Sequence, residues 1–266
     1  LALNGVDVVL AEKADYCSGA SGALSRMVHG GLRYLENGEF KLVRESLLER
    51  DRLLRNAPHY VRPLPTTVPI FDRFSGMGNS VFRFLGLTRQ PSRRGALVIK
   101  TGLMLYDLFA GGRHAMPQHE FRSRRQTMAS WPAINPALCN SATYYDAWVS
   151  LPERLGMEML TDTMGEHPGA LAINYAGVAR NAEGLVLNDR LGGGEHYPIS
   201  PRLIINATGG WIDITNAAIG TPRPAIMGGT KGSHLVINNR ALFDALDGHM
   251  IYYENEDGRI CILFPY

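Results

Sequence analysis

The stretch at residues 18–36, SGASGALSRMVHGGLRYLE, constrains this chain more than any other. It opens with small residues, past which a backbone can approach a ligand closely because no side chain intervenes. Hydrogen-bond donors and one titratable imidazole then follow a glycine-permissive turn: Arg26, His29, Arg33 and Tyr34. The pattern predicts a binding site. The alternative is an ordinary loop that leads into a surface helix and carries solvated arginines.

Further motifs extend this pattern along the chain. HGGLRYLE is followed by GEFKLVRES and APHYVRPLP, and then by TGLMLYDLFAG (101–111), YYDAWV (144–149), INATGGWID (205–213) and KGSHLVI (231–237). With these motifs in this order, the chain resembles the FAD-dependent glycerol-3-phosphate dehydrogenases and their oxidase relatives, within the DAO-type superfamily. The resemblance covers nearly the whole chain. It implies an α/β fold, α+β overall, in which a Rossmann-like FAD-binding domain of the DAO/glutathione-reductase type carries an antiparallel β substrate cap.

The order of the predicted elements suggests where the two domains lie. Strand and helix patterns alternate near the N-terminus, whereas the C-terminal part is rich in strands. The texture changes at PLPTTVPIF (63–71), a proline-bounded run typical of a β-strand. We therefore predict that residues 1–62 and 140–222 form an incomplete FAD-binding domain and that residues 63–139 and 223–266 form the substrate cap.

The first residues predict one strand of a dinucleotide-binding unit. LALNGVDVVLAEK indicates a helix end, a stop at Asn4-Gly5, a buried strand at residues 6–10 and then Glu12. An acid at this place in a βαβ unit accepts hydrogen bonds from the adenosine ribose, and a solvated loop acid is the alternative. The GxGxxG turn would lie about 20 residues upstream. We expect a fragment cut at both ends.

The resemblance implies a set of cofactor contacts. Ser21 and Ser25 match serines that contact the flavin nucleotide, while His29 would lie near the isoalloxazine ring with either a structural or a catalytic role. The ATG segment would close over the ADP half of FAD. Ala20, Leu24 and Gly210 depart from the family pattern. The implied cofactor-binding residues are Glu12, Ser21, Ser25, His29, Gly30, Gly31, Ala207, Thr208 and Gly209.

A glycerol phosphate substrate requires cationic donors and a base. The resemblance assigns phosphate or hydroxyl contacts to Arg33 and Tyr34, because a guanidinium holds a phosphate with paired donors. Lys231 and His234 lie in the KGSH segment on the substrate side. His234 is the candidate base, since an imidazole titrates near neutrality. A core imidazole bonded to a backbone carbonyl is the alternative, and the catalytic set is His234 with Arg33.

The resemblance implies oxidation of sn-glycerol 3-phosphate to dihydroxyacetone phosphate, with electrons passing through FAD to a quinone. An oxidase that uses oxygen, a non-catalytic fragment that cannot hold FAD, and an amine or amino-acid oxidase of the same fold remain as alternatives. We expect a cytoplasmic protein, with peripheral contact with the inner face of the cytoplasmic membrane left open. The oligomeric state is left open as well.

Composition excludes several classes of protein. A net charge of +2 with 20% charged residues gives no cationic excess for nucleic acid. The three cysteines are widely spaced, which predicts no disulfide framework or CxxC metal site and favours a reducing compartment. No apolar run approaches the ~20 residues of a membrane span. Arginines in the middle of the chain suit either anionic lipid, a phosphorylated substrate or, more simply, dispersed surface charge.

Hydrophobic periodicity predicts the remaining elements. Residues 36–56 form an amphipathic helix with Phe40, Val43, Leu47 and Leu54 inward, and with Lys41/Glu45 and Asp51/Arg55 on a solvated face. A buried helix is predicted at 96–110 and another helix at 152–162. Strands are predicted at 142–150, 170–179, 184–187, 196–199, 202–210, 249–253 and 259–264.

Overall fold

The computed structural model describes residues 1–31, 39–72, 116–254 and 260–266. The chain divides into two compact units. Unit 1 comprises Leu1–Ser25 and Leu151–Leu235, and unit 2 comprises Arg26–Ser150 and Val236–Tyr266. These boundaries differ from the predicted ones, because residues 26–62 and 140–150 lie in unit 2 rather than with the N-terminal strand. The assignment of cofactor and substrate to separate domains stays a prediction.

Both units contain strands and helices. In chain order the strands are β1 (Val8–Ala11), β2 (Met27–Val28), β3 (Val61–Ile70), β4 (Glu120–Ser123), β5 (Asn140–Val149), β6 (Ala170–Ile173), β7 (Ala176–Asn181), β8 (Gly184–Asp189), β9 (His196–Ile199), β10 (Met250–Glu254) and β11 (Ile260–Leu263). The helices are α1 (Phe40–Asn56), α2 (Arg124–Ser130), α3 (Pro152–Glu166), α4 (Ile212–Ala218) and α5 (Arg240–Leu246), with 3₁₀ helices at Ala2–Asn4, Ala20–Ala23 and Gly209–Trp211.

Unit 1 contains one parallel strand pair and one antiparallel sheet. β1 pairs with β6 in parallel, from Val8↔Ala170 to Ala11↔Ile173. α3 precedes β6 in the chain and packs against it, and Pro152 stands in the first turn, where its missing N–H costs no hydrogen bond. β7, β8 and β9 form the antiparallel sheet. A parallel pair of this kind places both carboxyl ends at one edge, which is where Glu12 follows β1.

The strand predicted at residues 202–210 is wrong. Within unit 1, all of which the structure describes, residues 202–208 adopt no helix or strand. Leu203 keeps 76% of its surface exposed, and Ile204 and Ile205 are exposed as well. A strand needs a neighbour for its N–H and C=O groups, yet β1 pairs only with β6 here. The apolar run alone was therefore insufficient to specify a strand.

Unit 2 is built on a sheet in the order β11-β10-β3-β5-β2, with β4 also paired to β5. β3 and β5 are antiparallel over ten residues, from Val61↔Val149 to Ile70↔Asn140. Alternate residues of a strand direct their N–H groups to the same edge, and the three prolines of β3 all stand at odd-numbered positions: Pro63, Pro65 and Pro69. Their missing N–H groups therefore lie on one edge of β3. That edge pairs with β10 only at Thr66 and Thr67. The ten-residue pairing between β3 and β5 keeps both strands in unit 2.

The core of unit 2 lies between α1 and the sheet. Val43 and Leu47 of α1 are buried with Ile70, Ala142 and Tyr144 of β3 and β5, and Val68 and Phe121 pack beside them. Each fully buried aliphatic side chain of this kind contributes about 1.5–3 kcal/mol. The predicted inward face of α1 is confirmed at Val43 and Leu47.

The predicted solvated face of α1 is only half right. Lys41 and Glu45 form the expected exposed i,i+4 pair at 4.0 Å. Asp51 is buried instead, and its carboxylate binds Arg50 rather than the side chain predicted for it. Arg55 donates from Nε to the backbone carbonyl of Asp51 at 3.2 Å. Charged residues on this helix therefore face inward as well as outward.

Two short helices have sequence signals that the predictions did not use. α2 begins with a capping box, in which the Ser123 hydroxyl accepts from the Gln126 N–H and the Gln126 side chain accepts from the Ser123 N–H. The Asn239 side chain caps α5 by accepting from the Leu242 N–H at 3.0 Å. Serine and asparagine are among the residues preferred at the N-terminal cap of a helix, so both caps follow a known sequence preference.

Several predictions fall outside the described residues. These are the helix at 96–110, the substrate contacts Arg33 and Tyr34, and the arginines at 83, 89, 93, 94 and 113. Among the arginines of the described part, Arg122 is paired with Glu120, and Arg124 donates to the Pro136 carbonyl. In the same described ranges, no helix has both the length and the apolar character needed to cross a bilayer.

Candidate functional site

Glu12 lies at the carboxyl edge of the β1–β6 pair. Its backbone N–H donates to the Ile173 carbonyl at 2.9 Å, and its own carbonyl accepts from the Ala176 N–H at 2.8 Å. One carboxylate oxygen accepts from the Ala14 N–H at 2.9 Å. The backbone is thus fixed from both sides and the side chain is held by a local turn. The predicted contact with a ribose stays a prediction, but the acid is at the edge of the sheet where that contact would be made.

Trp211 connects two segments that were predicted to contact the cofactor. A Cβ atom built on Gly19 would lie 3.4 Å from the Trp211 ring, so the backbone packs directly on the indole. The ammonium of Lys13, next to Glu12, lies 5.8 Å from the ring centroid. Trp211 follows the ATGG segment in the sequence. The predictions missed it, although an aromatic directly after this segment was the available signal.

The predicted ATG turn is stabilised by side-chain hydrogen bonds, and its residues are exposed to solvent. The Thr208 hydroxyl donates to Asn206 Oδ1 at 2.7 Å and lies 3.0 Å from the Thr215 hydroxyl. Gly209 has φ +57, and nothing lies within 4 Å of a Cβ atom built on it. Ala207, Thr208 and Gly209 are all exposed. A left-handed glycine in open space leaves its backbone accessible to a ligand.

Ser21 and Ser25 lie in the small-residue segment, after Gly19 in the sequence. Ser21 lies in the 3₁₀ helix Ala20–Ala23 and is exposed, while Ser25 is half-buried at the end of this part of unit 1. The 3₁₀ helix packs on α3. Gly156 of α3 makes room for the contact, because a Cβ atom there would collide with the sulfur of Cys17. The two serines are therefore on a supported surface turn.

Lys231 and His234 lie in an extended, exposed segment of unit 1. Asp213 holds the preceding residues, since its carboxylate accepts from the backbone N–H groups of Ile226 and Met227 at 3.0 Å each. The exposure of His234 contradicts the alternative of a core imidazole. Its role as the base stays a prediction.

His29, Gly30 and Gly31 belong to unit 2 and directly follow β2. His29 is exposed, whereas both glycines are buried. The Gly30 N–H donates to Asp146 Oδ1 at 2.8 Å. Gly31 has φ +77, a conformation that strongly favours glycine. The two glycines of the HGG motif are thus buried and held by a carboxylate, which the sequence did not indicate.

A buried ionic cluster supports that turn. Arg50 is 1% exposed and Asp146 2% exposed, and their closest charged atoms are 3.7 Å apart. Arg50 also donates to Asp51 Oδ1 from Nε at 3.2 Å and from Nη2 at 3.1 Å, and to the Tyr145 carbonyl at 3.2 Å. Such buried charges persist only when they are paired and hydrogen-bonded.

The residues of unit 1 have donor and acceptor chemistry that fits the adenosine half of FAD. Glu12 presents a carboxylate, which accepts from ribose hydroxyls at this place in dinucleotide-binding units. The open backbone at Gly209 offers a surface that a nucleotide can approach closely. The hydroxyls of Ser21 and Ser25 lie on the turn that follows Gly19, which packs on Trp211. This chemistry is compatible with the predicted nucleotide contacts, which stay a prediction.

Comparison with known proteins gives a family match. A model of the family described as "FAD dependent oxidoreductase", DAO, matches residues 1–265. A glycerol-3-phosphate dehydrogenase of Synechocystis sp. is 34% identical over 254 residues, which cover 89% of this chain and 42% of that protein. A D-erythritol 1-phosphate dehydrogenase of Brucella abortus is 30% identical over 268 residues, covering 98% of this chain and 48% of that protein. The chain thus spans less than half the length of these relatives.

A solved structure gives the same result for the fold. The glycerol-3-phosphate dehydrogenase from Bacillus halodurans complexed with FAD superposes with a TM-score of 0.62 at 19% identity. The match covers 100% of this chain and 41% of that one. At this identity the likeness concerns the fold alone. Together with the family match, it confirms the predicted mixed α/β fold of the FAD-binding type.

Proposed function

Because this chain belongs to the FAD dependent oxidoreductase family, we propose that it acts in the FAD-dependent oxidation of sn-glycerol 3-phosphate to dihydroxyacetone phosphate. The observation that carries the proposal is the 34% identity, over 89% of this chain, to a protein named glycerol-3-phosphate dehydrogenase. The geometry of unit 1 supports it, since the nucleotide chemistry of Glu12 and the ATG turn is what a flavin enzyme requires.

Oxidation of a secondary alcohol removes one hydrogen with two electrons from carbon and one proton from the hydroxyl. When bound, FAD supplies the two-electron acceptor for this reaction. Glu12, Ser21 and Ser25 would hold its nucleotide part, together with the turn at 207–209. His29 and the glycines that follow it would contact the ring portion. The protein's part is to orient both partners and to move the hydroxyl proton.

The substrate contacts follow from charge. A phosphate dianion taken from water requires paired donors, which Arg33 supplies as a fork and Lys231 as a point charge. Tyr34 would donate to a phosphate or hydroxyl oxygen. His234 would accept the C2 hydroxyl proton, a role for which an exposed imidazole is accessible.

For the electron acceptor we favour a quinone. Both curated relatives compared above are named dehydrogenases rather than oxidases. A quinone acceptor would require contact with the inner face of the cytoplasmic membrane, so peripheral binding belongs to the same proposal. Measuring the reduction of a soluble quinone analogue and the formation of hydrogen peroxide with one enzyme preparation separates this proposal from an oxygen-using oxidase.

A second substrate candidate is D-erythritol 1-phosphate. The Brucella abortus relative named for that substrate is 30% identical over 98% of this chain. Both candidates are polyol monophosphates, so the phosphate donors would serve either one. Comparing kcat/KM for the two substrates decides between them, because the longer polyol adds hydroxyl groups that the site must either bind or exclude.

The proposed phosphate contact is tested by Arg33→Lys in the intact, flavin-loaded protein. This change keeps the charge but removes the fork. It should lower kcat/KM for sn-glycerol 3-phosphate selectively and scarcely change the poor reaction with glycerol. Equal losses with both substrates would make Arg33 structural. No loss with either would mean that the substrate site lies elsewhere.

A further inference from the structure

The antiparallel pairing between β2 and β5 stops short of the HGG turn. The last paired residues are Val28↔Ala147. Two residues later the Gly30 N–H binds the Asp146 carboxylate, and the Tyr145 carbonyl accepts from Arg50. Side chains have thus taken the place of ladder hydrogen bonds where β2 leaves the sheet. This arrangement releases the chain from β5 while leaving neither backbone group unsatisfied.

We propose that Asp146, held in place by Arg50, is a positioning residue that fixes the Gly30 amide and so the HGG turn, whose His29 and glycines the proposed function assigns to the flavin ring. The inference rests on the proposed function for the identity of the reaction, but its structural part does not. Asp146 is 2% exposed and accepts a hydrogen bond from the backbone of the turn. It acts through the Gly30 amide, which directly precedes the left-handed Gly31.

The position of Arg50 explains why this anchor is rigid. Val43, Leu47 and Arg50 share the inward stripe of α1, because residues three and four apart lie on one helix face. Ala142, Tyr144 and Asp146 share one face of β5, because strand side chains alternate. The hydrophobic core between α1 and β5 therefore continues directly into the ion pair. A carboxylate fixed by a core of this kind has little freedom to release Gly30.

The charges in the cluster explain why Asp146 favours an amide donor. One guanidinium faces two carboxylates, those of Asp51 and Asp146. Arg50 makes two hydrogen bonds to Asp51 but only a 3.7 Å ion pair with Asp146. The same Oδ1 atom of Asp146 takes the Gly30 N–H at 2.8 Å. The turn's amide thus stabilises a buried carboxylate with a charge-assisted hydrogen bond.

Asp51 provides a matched control. It contacts the same guanidinium and is also buried, but no hydrogen bond joins it to the turn among the bonds described here. Asp51→Asn and Asp146→Asn each remove one negative charge beside Arg50. Asp146→Ala additionally removes the acceptor for Gly30. If both aspartates served stability alone, substitutions at positions 51 and 146 would lower activity alike. If Asp146 positions the turn, only substitution of Asp146 should lower it.

The experiment compares these three variants in the flavin-loaded protein. Asp146→Ala should lower kcat/KM for sn-glycerol 3-phosphate by about tenfold or more, because a small misplacement of contact residues is costly. Asp146→Asn keeps an acceptor and should lose less. Asp51→Asn should stay within about threefold of the parent, since the turn remains bonded. Equal losses at positions 51 and 146, or no loss in Asp146→Ala, would overturn the proposal.

A second readout does not depend on turnover. Hydrogen exchange of the peptide at residues 26–31 should accelerate about tenfold in Asp146→Ala and stay near the parent rate in Asp51→Asn, since local opening sets that rate. If the parent protein fails to oxidise the substrate, the proposed function fails but exchange still decides the role of Asp146. Unchanged exchange in Asp146→Ala would reject it. Should Asp146→Ala not fold, Asp146→Leu against Asp51→Leu makes the same comparison, because leucine is similar in size to aspartate and has no acceptor.

Discussion

The two units differ in what fills their interiors. Unit 2 has a continuous core between α1 and the sheet and even buries an arginine with two aspartates. Unit 1, described over its full range, buries only four apolar residues: Ala2, Ala176, Val186 and Ile219. A leucine in each unit shows the contrast, since Leu47 of α1 is 2% exposed and Leu171 of β6 is 51% exposed.

This difference separates two ways of holding a functional residue. In unit 2 the protein's own packing fixes the HGG turn through Asp146. In unit 1 the candidate nucleotide residues lie on open turns, and backbone and side-chain hydrogen bonds rather than a core hold them. A ligand that binds only the folded state adds its binding free energy to stability. We therefore expect FAD to stabilise unit 1 more than unit 2.

The largest change in stability is expected when the buried ionic cluster of unit 2 is disrupted. Arg50→Met leaves Asp146 buried without its cation, which should cost about 3–5 kcal/mol in the free energy of unfolding. Urea unfolding measures this cost. In a Trp211→Phe background the fluorescence comes from Trp131 and Trp148, both in unit 2.

The matched control is Arg52→Met, two residues along the same helix. Arg52 pairs with Glu49 at 2.6 Å, but both side chains are largely exposed. The expected cost is below about 1 kcal/mol, because solvent screens such a pair. Similar costs at positions 50 and 52 would contradict the buried ionic interior.

The next effect compares one substitution in both units. Leu47→Ala should cost about 2–5 kcal/mol, because it leaves a cavity in the core between α1 and the sheet. Leu171→Ala should change stability by no more than about 0.5 kcal/mol, because its side chain is half exposed. Unfolding curves followed by Trp131 and Trp148 for the first variant and by Trp211 for the second give both values. A larger loss at Leu171 would show that unit 1 has a core that the structure does not reveal.

A smaller effect concerns cofactor retention by unit 1. Glu12→Ala should weaken FAD binding by about 1–3 kcal/mol, the scale of a lost hydrogen bond to a charged group. The measurement is the flavin content after exhaustive dialysis, in the intact protein. Glu183→Ala, at an exposed position in the turn between β7 and β8, is the control and should keep its flavin. Equal flavin content in all three proteins would remove Glu12 from the site.

The smallest effect is a pH dependence in unit 2. Burial first, and then the Arg122 charge, lower the pKa of His249, while Asp247 and Glu120 oppose that shift. His249 Nδ1 lies 3.0 Å from the Thr67 hydroxyl, and its ring packs edge-on against Trp131. Above about pH 6.5 the imidazole is neutral in both states and the stability is complete. Below that pH the unfolded chain takes up the proton first, so stability falls until the pH passes the folded pKa.

Replacing the imidazole should flatten this dependence. The fall in Tm between pH 8 and pH 5 should be about 1–2 °C smaller in His249→Asn than in the parent. His196→Asn, at an exposed position of unit 1, should leave the fall unchanged. An identical pH dependence in all three proteins would show that the folded environment of His249 does not oppose protonation.

Periodicity predicted several elements whether their partners are near or far in the chain. The strands β8 and β9 pair with each other across a short connection. The apolar stripe of α1 and the strand β5 also follow from spacing, although they pack and pair with segments that are distant in the sequence. Arg50 was missed because a charged residue is expected on the surface, and its burial depends on Asp146, 96 positions later in the sequence. Residues 202–208 were mistaken for a strand because an apolar run does not say whether a partner strand is present.

For the candidate site, too, the sequence did not show the contacts between distant segments. The position of Glu12 after a strand could be predicted from the sequence, whereas its contact with a ribose stays a prediction. The motifs located the HGG and ATG turns. What the sequence did not show is what holds each turn: Trp211 beneath Gly19 in unit 1, and Asp146 bonded to Gly30 in unit 2. Both contacts join segments more than 100 residues apart, and such contacts leave no local pattern.

We propose that this chain serves FAD-dependent oxidation of sn-glycerol 3-phosphate. The most direct test is the visible absorption spectrum of the purified intact protein, recorded anaerobically before and after addition of that substrate. We predict that the protein carries an oxidised flavin and that the substrate bleaches the flavin band, while glycerol does not. A protein that retains no flavin, or a bound flavin that dithionite reduces but sn-glycerol 3-phosphate leaves oxidised, would contradict the account.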